Sequence, residues 1–281
     1  MSKIKFTKMN GLGNDFVILD YDEYKKADMP ADKLAPKLCN RNFSIGADGL
    51  IIVNPNMNNA DISWIFYNSD GSVAQMCGNG MRCFARYVYD NKIVNKKEFS
   101  VETKAGIIIP KIISDTEVCV NMGKPILTPE KIPCKASVNL NIPYSIDNKD
   151  FLLNAISMGN PHCIIFTKDN SKELALKYGA TIENDTLFPE KTNVEFVEIL
   201  SKDEVVINVW ERGCGITLAC GTGACATTVA GILNGYLNPK VRANLPGGSL
   251  KIEWQGNPDD TDYNVYMTGR ADYSFVGEVI I

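Results

Sequence analysis

The chain has 281 residues, of which 45% are hydrophobic and 22% charged, and its formal net charge is -4. That length suits about two domains, each able to bury its own core. With no run of Lys and Arg and no basic field to follow a phosphate backbone, nucleic acid is not an expected partner. No segment approaches roughly 18 uninterrupted apolar residues, and no apolar stretch follows the lysines near the N-terminus, so neither membrane spanning nor secretion is expected.

Taken in chain order, β-branched and aromatic runs bounded by Gly, Pro, Asn and Asp predict strands at 16–20, 50–53, 62–67, 98–103, 107–113 and 118–122. A second series follows at 163–166, 194–199, 205–210, 249–254, 263–267 and 275–280. Each series contains one outstanding helix. Residues 81–89 are apolar on nearly every face except at Arg82 and Arg86, and residues 224–233 carry no charge and run toward Gly235, a suitable C-cap. A helix that is apolar all round is buried in a core rather than laid on its surface. Shorter helices at 32–38 and 171–177 belong outside. The stretch 124–150, with Pro125, Pro129, Pro133 and Pro143, reads as a linker or irregular segment. The expected fold is therefore α/β: two similar pseudo-repeat domains, each a mixed, curled β-sheet around a central α-helix.

The repeat is visible in three ordered matches. Gly13-Asn14-Asp15-Phe16 corresponds to Gly159-Asn160-Pro161-His162 at an offset of 146. An apolar strand running into Asn68 and then Cys77-Gly78-Asn79-Gly80 corresponds to one running into Glu211 and then Cys220-Gly221-Thr222-Gly223, at an offset of 143. Val120-Asn121-Met122-Gly123 corresponds to Tyr266-Met267-Thr268-Gly269, again at 146. One unit of about 140 residues, used twice, fits the usual size of a domain.

The nine cysteines are too few for a disulfide scaffold and odd in number, which suits thiols in a reducing cytosol. No two stand in C-x-x-C spacing, so a structural zinc site is not expected. The repeat sets Cys77 and Cys220 apart, each immediately before a helix start. The first turn of a helix presents unpaired N–H groups and the positive end of its dipole, which stabilise a thiolate, lower its pKa and bind a carboxylate. Two such thiols on opposite sides of one bound anion have the arrangement needed to invert a carbon, one removing a proton while the other delivers one. Cys83 and Cys225, further into the same helices, read as core. His162, the sole histidine, is a candidate to assist a thiol, and Glu211-Arg212 suits a zwitterion, Glu taking the ammonium and Arg the carboxylate. The G-x-G-x-x-A run at 221–226 lacks the leading parallel strand and the following acid of a dinucleotide site.

These segments together resemble the diaminopimelate epimerases over essentially the whole chain. The resemblance rests on 9–16, Gly46-Ala47-Asp48-Gly49, 68–72, 76–83, 157–162, Thr192-Asn193, Glu211-Arg212-Gly213 and 219–224. It implies a homodimeric cytoplasmic enzyme, independent of pyridoxal phosphate and of metal, that interconverts LL- and meso-2,6-diaminopimelate on the way to lysine and peptidoglycan. It implies domains at 1–121 with 268–281 and at 122–267, with the active site in the cleft between them. Cys77 and Cys220 would be the base and acid, with His162 and Glu211 near the thiols. The N–H groups of Gly78, Asn79, Gly221 and Thr222 would hold the reacting carboxylate. Asn68, Asn160, Asn193, Glu211 and Arg212 would grip the far amino acid end, and Asn14 would line the pocket. Two positions depart from the family pattern: Gly49 stands where many members carry Gln, and Ile216 where many carry Glu.

Overall fold

A computed structural model describes residues 2–55, 59–74 and 76–281. It begins with a strand that its lysines conceal: β1 (Lys3–Gly11) buries Ile4 and Phe6 while Lys3 and Lys5 face outward. Then follow β2 (Asn14–Asp20), α1 (Tyr21–Lys26), α2 (Ala31–Cys39), β3 (Gly49–Asn54), β4 (Ile62–Asn68) and α3 (Gly78–Asp90). The short strands β5 (Val101–Thr103), β6 (Gly106–Ile108), β7 (Pro110–Ile112) and β8 (Glu117–Asn121) come next. The second series is β9 (Ile142–Ile146), β10 (Lys149–Ser157), β11 (Pro161–Thr167), α4 (Ser171–Glu183), β12 (Asn193–Ser201), β13 (Glu204–Glu211) and β14 (Gly215–Ile216). After it stand α5 (Gly221–Leu233), β15 (Lys240–Leu245), β16 (Gly248–Trp254), β17 (Val265–Arg270) and β18 (Asp272–Ile280). Two compact units result, Met1–Val120 with Thr268–Ile281 and Asn121–Met267.

The two units repeat one ladder. In the first, β1, β2, β3, β4, β5 and β6 pair successively antiparallel, parallel, antiparallel, parallel and antiparallel. In the second, β10, β11, β12, β13, β15 and β16 follow the same alternation. Each parallel pair is joined through a helix at the same place: α2 and α4 serve the first crossover, α3 and α5 the second. Strand β18 extends the first ladder by pairing antiparallel with β1.

Helices cover both faces of each sheet, so its central strands are apolar on both sides. On one face of the first unit, Val17, Leu19, Leu50 and Ile52 pack with Leu34, Ala35 and Leu38 of α2. On the other, Gly80 of α3 sits over Phe16 and Ile51, and Phe84 meets Trp64 edge to face at 5.6 Å. In the second unit Cys163, Ile165, Val194 and Phe196 pack with Leu174, Tyr178 and Ile182 of α4. Helix α5 buries Ala224 through Ala230 completely, including the thiol of Cys225. It ends in a Schellman motif: Gly235 takes φ +72°, its N–H bonds Ile232 O at 3.0 Å, and Tyr236 N–H bonds Gly231 O at 2.8 Å.

Several elements differ from the sequence reading. Strands β1, β9, β10, β14 and β15 and helix α1 were not expected, and the stretch 124–150 is only partly irregular because it holds β9 and the start of β10. In β15 the cause is alternation, Val241, Ala243 and Leu245 inward against Lys240 and Arg242 outward, a pattern that apolar runs do not reveal. The predicted strand 107–113 is two, β6 and β7, pairing with β5 and β8 respectively. Only Val101–Thr103 of the predicted 98–103 is a regular strand.

Gly71 closes the turn after β4 with φ +87°, and a Cβ there would lie 2.3 Å from the carbonyl oxygen of Asp32 on α2. Gly71→Ala therefore combines left-handed strain with a backbone clash, and a loss of about 2 kcal/mol or more in urea unfolding is expected. An unchanged midpoint would show that the turn relaxes freely.

Candidate active site

In the first unit the site is built at the N-terminus of α3. Cys77 is the N-cap, with extended backbone at φ -142° and ψ 119°. Its half-buried thiol donates to Asn14 Oδ1 at 3.5 Å, and the Asn79 amide donates to the same oxygen at 3.4 Å. Asn14 is held in turn by Asp48, whose Oδ2 accepts from Asn14 Nδ2 at 2.6 Å and from the Asp15 backbone N–H at 3.0 Å. Arg41 Nη2 lies 2.8 Å from a carboxylate oxygen of both Asp15 and Asp48, and Lys8 reaches Asp15 at 2.8 Å. Burial alone would raise the Asp15 pKa, but hydrogen bonds and charge from Arg41 and Lys8 outweigh it and bring the carboxyl down to about 2. Beneath the cap, the fully buried Arg82 donates to Asn79 Oδ1 at 2.9 Å and to Arg270 O at 3.1 Å. The amide faces that surround Cys77 are thus fixed by charged groups behind them.

The second unit repeats the plan at α5 with different chemistry. Cys220 is the N-cap, only 6% exposed. Its sulfur accepts from Gly223 N–H at 3.4 Å and lies 3.5 Å from Thr222 Oγ1. Asn160 donates to that hydroxyl at 3.4 Å, the counterpart of the Asn14 contact with Asn79. Asn160 Oδ1 is also 3.1 Å from His162 Nε2, and His162 Nδ1 is 2.7 Å from Glu195 Oε1, both side chains being wholly buried. One donor atom from each of His162, Glu195 and Cys220 lies within 4.8 Å of the others. Three separate elements supply this group, so the missing C-x-x-C spacing gave no sign of it; a soft cation could be closed within it, although the imidazole and carboxylate already bond each other. Burial first, then the carboxylates of Glu211 and Glu195, push the Cys220 thiol well above its ordinary range. The helix-end N–H of Gly223 and the Thr222 hydroxyl lower it by less. The sequence expectation of a lowered pKa is therefore reversed here: desolvation and two negative neighbours exceed the effect of the helix terminus.

The predicted site residues fall into distinct places. Cys77, Asn14, Gly78 and Asn79 stand together, as do Cys220, Gly221, Thr222, Asn160 and His162, with Glu211 near enough to raise the thiol. Asn193 donates to Pro161 O at 2.8 Å and accepts from Arg212 N–H at 3.0 Å, so it braces the start of β11 against the end of β13. The Arg212 guanidinium bonds Glu190 O at 3.1 Å. Asn68, at the end of β4, donates to Ser72 Oγ at 2.9 Å. Cys83 and Cys225 are completely buried. Gly49 has no space for a side chain, since a Cβ would lie 2.7 Å from the Phe66 ring and 2.8 Å from Tyr67 O. Ile216 is 39% exposed on β14.

Sequence reasoning did not single out Asp48 or Glu195 as site residues. For Glu195 a signal existed: a lone acid inside Val194-Glu195-Phe196-Val197, a run otherwise apolar and buried on both faces.

Twin ladders, each presenting a cysteine at the N-cap of a buried helix, define a two-domain α/β protein with the fold of PhzF proteins and amino acid racemases. The PhzF-family phenazine biosynthesis protein of Bacillus anthracis superposes over 100% of both chains with a TM-score of 0.70 at 14% identity. A hydroxyproline epimerase from Agrobacterium vitis does so over 99% of this chain and 91% of its own, with a TM-score of 0.70 at 13% identity. Within that fold the family is specific: the diaminopimelate epimerase family model matches residues 6–128 and 154–274. The diaminopimelate epimerase of Halothermothrix orenii is 48% identical over 288 residues, covering 99% of each chain. That of Carboxydothermus hydrogenoformans is 48% identical over 99% of this chain and 100% of its own, and the chloroplastic one of Oryza sativa subsp. japonica 42% over 99% and 80%. The chain belongs to the diaminopimelate epimerase family.

Because Asp15 titrates lower in the folded chain than its ordinary 3.8, its contribution to stability is present above about pH 4 and is lost as pH falls toward about 2. Arg41→Gln is expected to lower stability at neutral pH and to flatten that acid-side decline, as read from urea midpoints across the range. A decline as steep as in the parent would show that Arg41 does not set the Asp15 titration.

Proposed function

We propose that this chain interconverts LL- and meso-2,6-diaminopimelate by proton transfer at one α-carbon, with Cys77 and Cys220 as the two transfer groups. The observation that carries the reading is the doubled N-cap cysteine, one thiol per unit, each with a polar side chain on its first helical turn, Asn79 or Thr222, bonded to an asparagine, Asn14 or Asn160. Inverting a carbon needs an acceptor on one side and a donor on the other, and no single group can be both in one passage. Burial and two carboxylates favour the neutral thiol at Cys220, which suits the donor's part in one direction, with Cys77 as acceptor. The reverse reaction exchanges these roles.

The backbone N–H groups of Gly78, Asn79, Gly221 and Thr222 belong to helix first turns, where N–H groups have no partner inside the helix. They suit the substrate carboxylate as the adjacent carbon gains negative charge, which replaces the electron sink that pyridoxal phosphate would otherwise provide. His162 and Glu211 adjust the second thiol, and Asn14 and Asn160 orient polar atoms around the two caps. Asn68, Asn193, Glu211 and Arg212 take the distal amino acid end, Arg212 by its fork of donors. In this reading the units Met1–Val120 with Thr268–Ile281 and Asn121–Met267 are the two epimerase domains. The chain works as a cytoplasmic homodimer in lysine and peptidoglycan precursor synthesis. The nine-residue strand β18, with Phe275, Val276 and Ile280 exposed, supports the dimer, and chemistry that needs both sulfurs reduced suits a reducing compartment.

Incubation with LL-diaminopimelate in deuterated water should give the meso isomer carrying α-deuterium. If neither product nor label appears, the assignment fails. Cys77→Ala and Cys220→Ala should each reduce turnover at least about a hundredfold, whereas Cys83→Ala should change thermal stability more than rate. Wild-type turnover in either capping variant rules out the two-thiol scheme.

A further inference from the structure

The duplication supplies an internal control for the second half-site. Phe16 on β2 pairs with Gly49 on β3, and Ile51 stands two residues further along β3. In the second unit His162 on β11 pairs with Asn193 on β12, and Glu195 stands two residues further along β12. His162 therefore occupies the place of Phe16, and Glu195 the place of Ile51. The same holds above them: a Cβ at Gly80, three residues after Cys77, would lie 3.4 Å from both Phe16 and Ile51. A Cβ at Gly223, three residues after Cys220, would lie 2.4 Å from Glu195 Oε1 and 3.2 Å from the Cys220 sulfur. The fold accepts an apolar pair under this helix turn in one unit. In the other it holds an imidazole and a carboxyl group, both at 0% exposure.

Packing does not account for the exchange. Among the described residues Glu195 Oε2 is buried without a hydrogen-bond partner, an arrangement that costs stability relative to an apolar side chain of similar size. Its other oxygen is spent entirely on the ring: Oε1 lies 2.7 Å from His162 Nδ1. A carboxylate can only accept, so it keeps a proton on Nδ1 and fixes the ring plane. Any proton the ring exchanges then passes through Nε2, the nitrogen beside Asn160, which itself bonds the Thr222 hydroxyl next to Cys220.

We propose that Glu195 is a positioning residue for proton transfer at Cys220, acting by holding the proton on Nδ1 and the orientation of His162. This rests on the two-thiol reading above. Gly223 belongs to the same device, because only a residue without Cβ lets the Glu195 carboxylate and the Cys220 sulfur share the space over the first helical turn.

Since His162 is the chain's sole histidine, the imidazole nitrogens of a protein labelled with 15N-histidine report this one ring. In the parent protein without substrate, Nδ1 should carry a proton, toward Glu195, and Nε2 one toward Asn160 Oδ1. In Glu195→Gln the Nδ1 proton should be lost and the ring left protonated on Nε2, toward Asn160 Oδ1, and kcat for diaminopimelate should fall at least about tenfold with KM changed by less than about twofold. A second variant copies the first unit, His162→Phe with Glu195→Ile. It should fold with a thermal midpoint no lower than the parent and lack activity. Glu195→Gln with the proton still on Nδ1 and parental kcat overturns the proposal, as does a double variant that unfolds, since the pair would then be structural. The nitrogen spectra need no substrate, so they decide the role of Glu195 even if the epimerase assignment itself fails.

Discussion

Burying a helix in a core leaves its first turn of N–H groups without partners inside the helix, in a place where water cannot freely serve them. Helices α3 and α5 are such helices, and most of the chain's particular features follow from that constraint. Each needs a capping residue whose side chain is small and polarisable, neighbours without Cβ where the sheet comes close, and amides on the adjoining strand to complete the polar surroundings. Cys220 meets them by accepting from the Gly223 N–H, whereas the Cys77 side chain makes no such bond and donates to Asn14 instead. A surface helix could have been capped by any Ser or Asp; these caps sit where a ligand's carboxylate is the natural complement.

The two halves share a ladder but have diverged in what supports the cap. Behind Cys77 the supports are ionic and begin at Lys8, Arg41, Asp15 and Asp48, with the Asn14 amide joining Asp48 to the thiol. Behind Cys220 they are acidic and close, Glu211 and Glu195 both bearing directly on the sulfur. Similar backbones thus hold two thiols among differently placed charges.

The sequence made much of this legible, and the reasons for the remainder are physical. Both central helices were readable because a run that is charge-free, as at 224–233, or apolar except at two arginines, as at 81–89, has nowhere to go but a core. Strands buried on two faces were readable for the same reason, as in β3 and β12. Strands with alternating lysines, β1 and β15, were not, since their signal has period two and long charged side chains mask it. The repeat located both thiols, but it could not show the state of Cys220, which depends on carboxylates brought in from β12 and β13. Glu195 illustrates the limit most clearly: its neighbours in sequence mark it as odd, yet only the pairing of β11 with β12 reveals the imidazole it serves.

The order in which the chain is made meets the order of its units at β18. Asn121–Met267 is continuous in the chain, whereas the first unit takes the strand that covers β1 from residues beyond the second. Without β18, β1 presents an open edge with Ile4 and Phe6 beside it. The half that comes first in the chain thus owes its closing strand to residues on the far side of the other half, and removing β18 uncovers the Ile4 and Phe6 strand rather than trimming a tail.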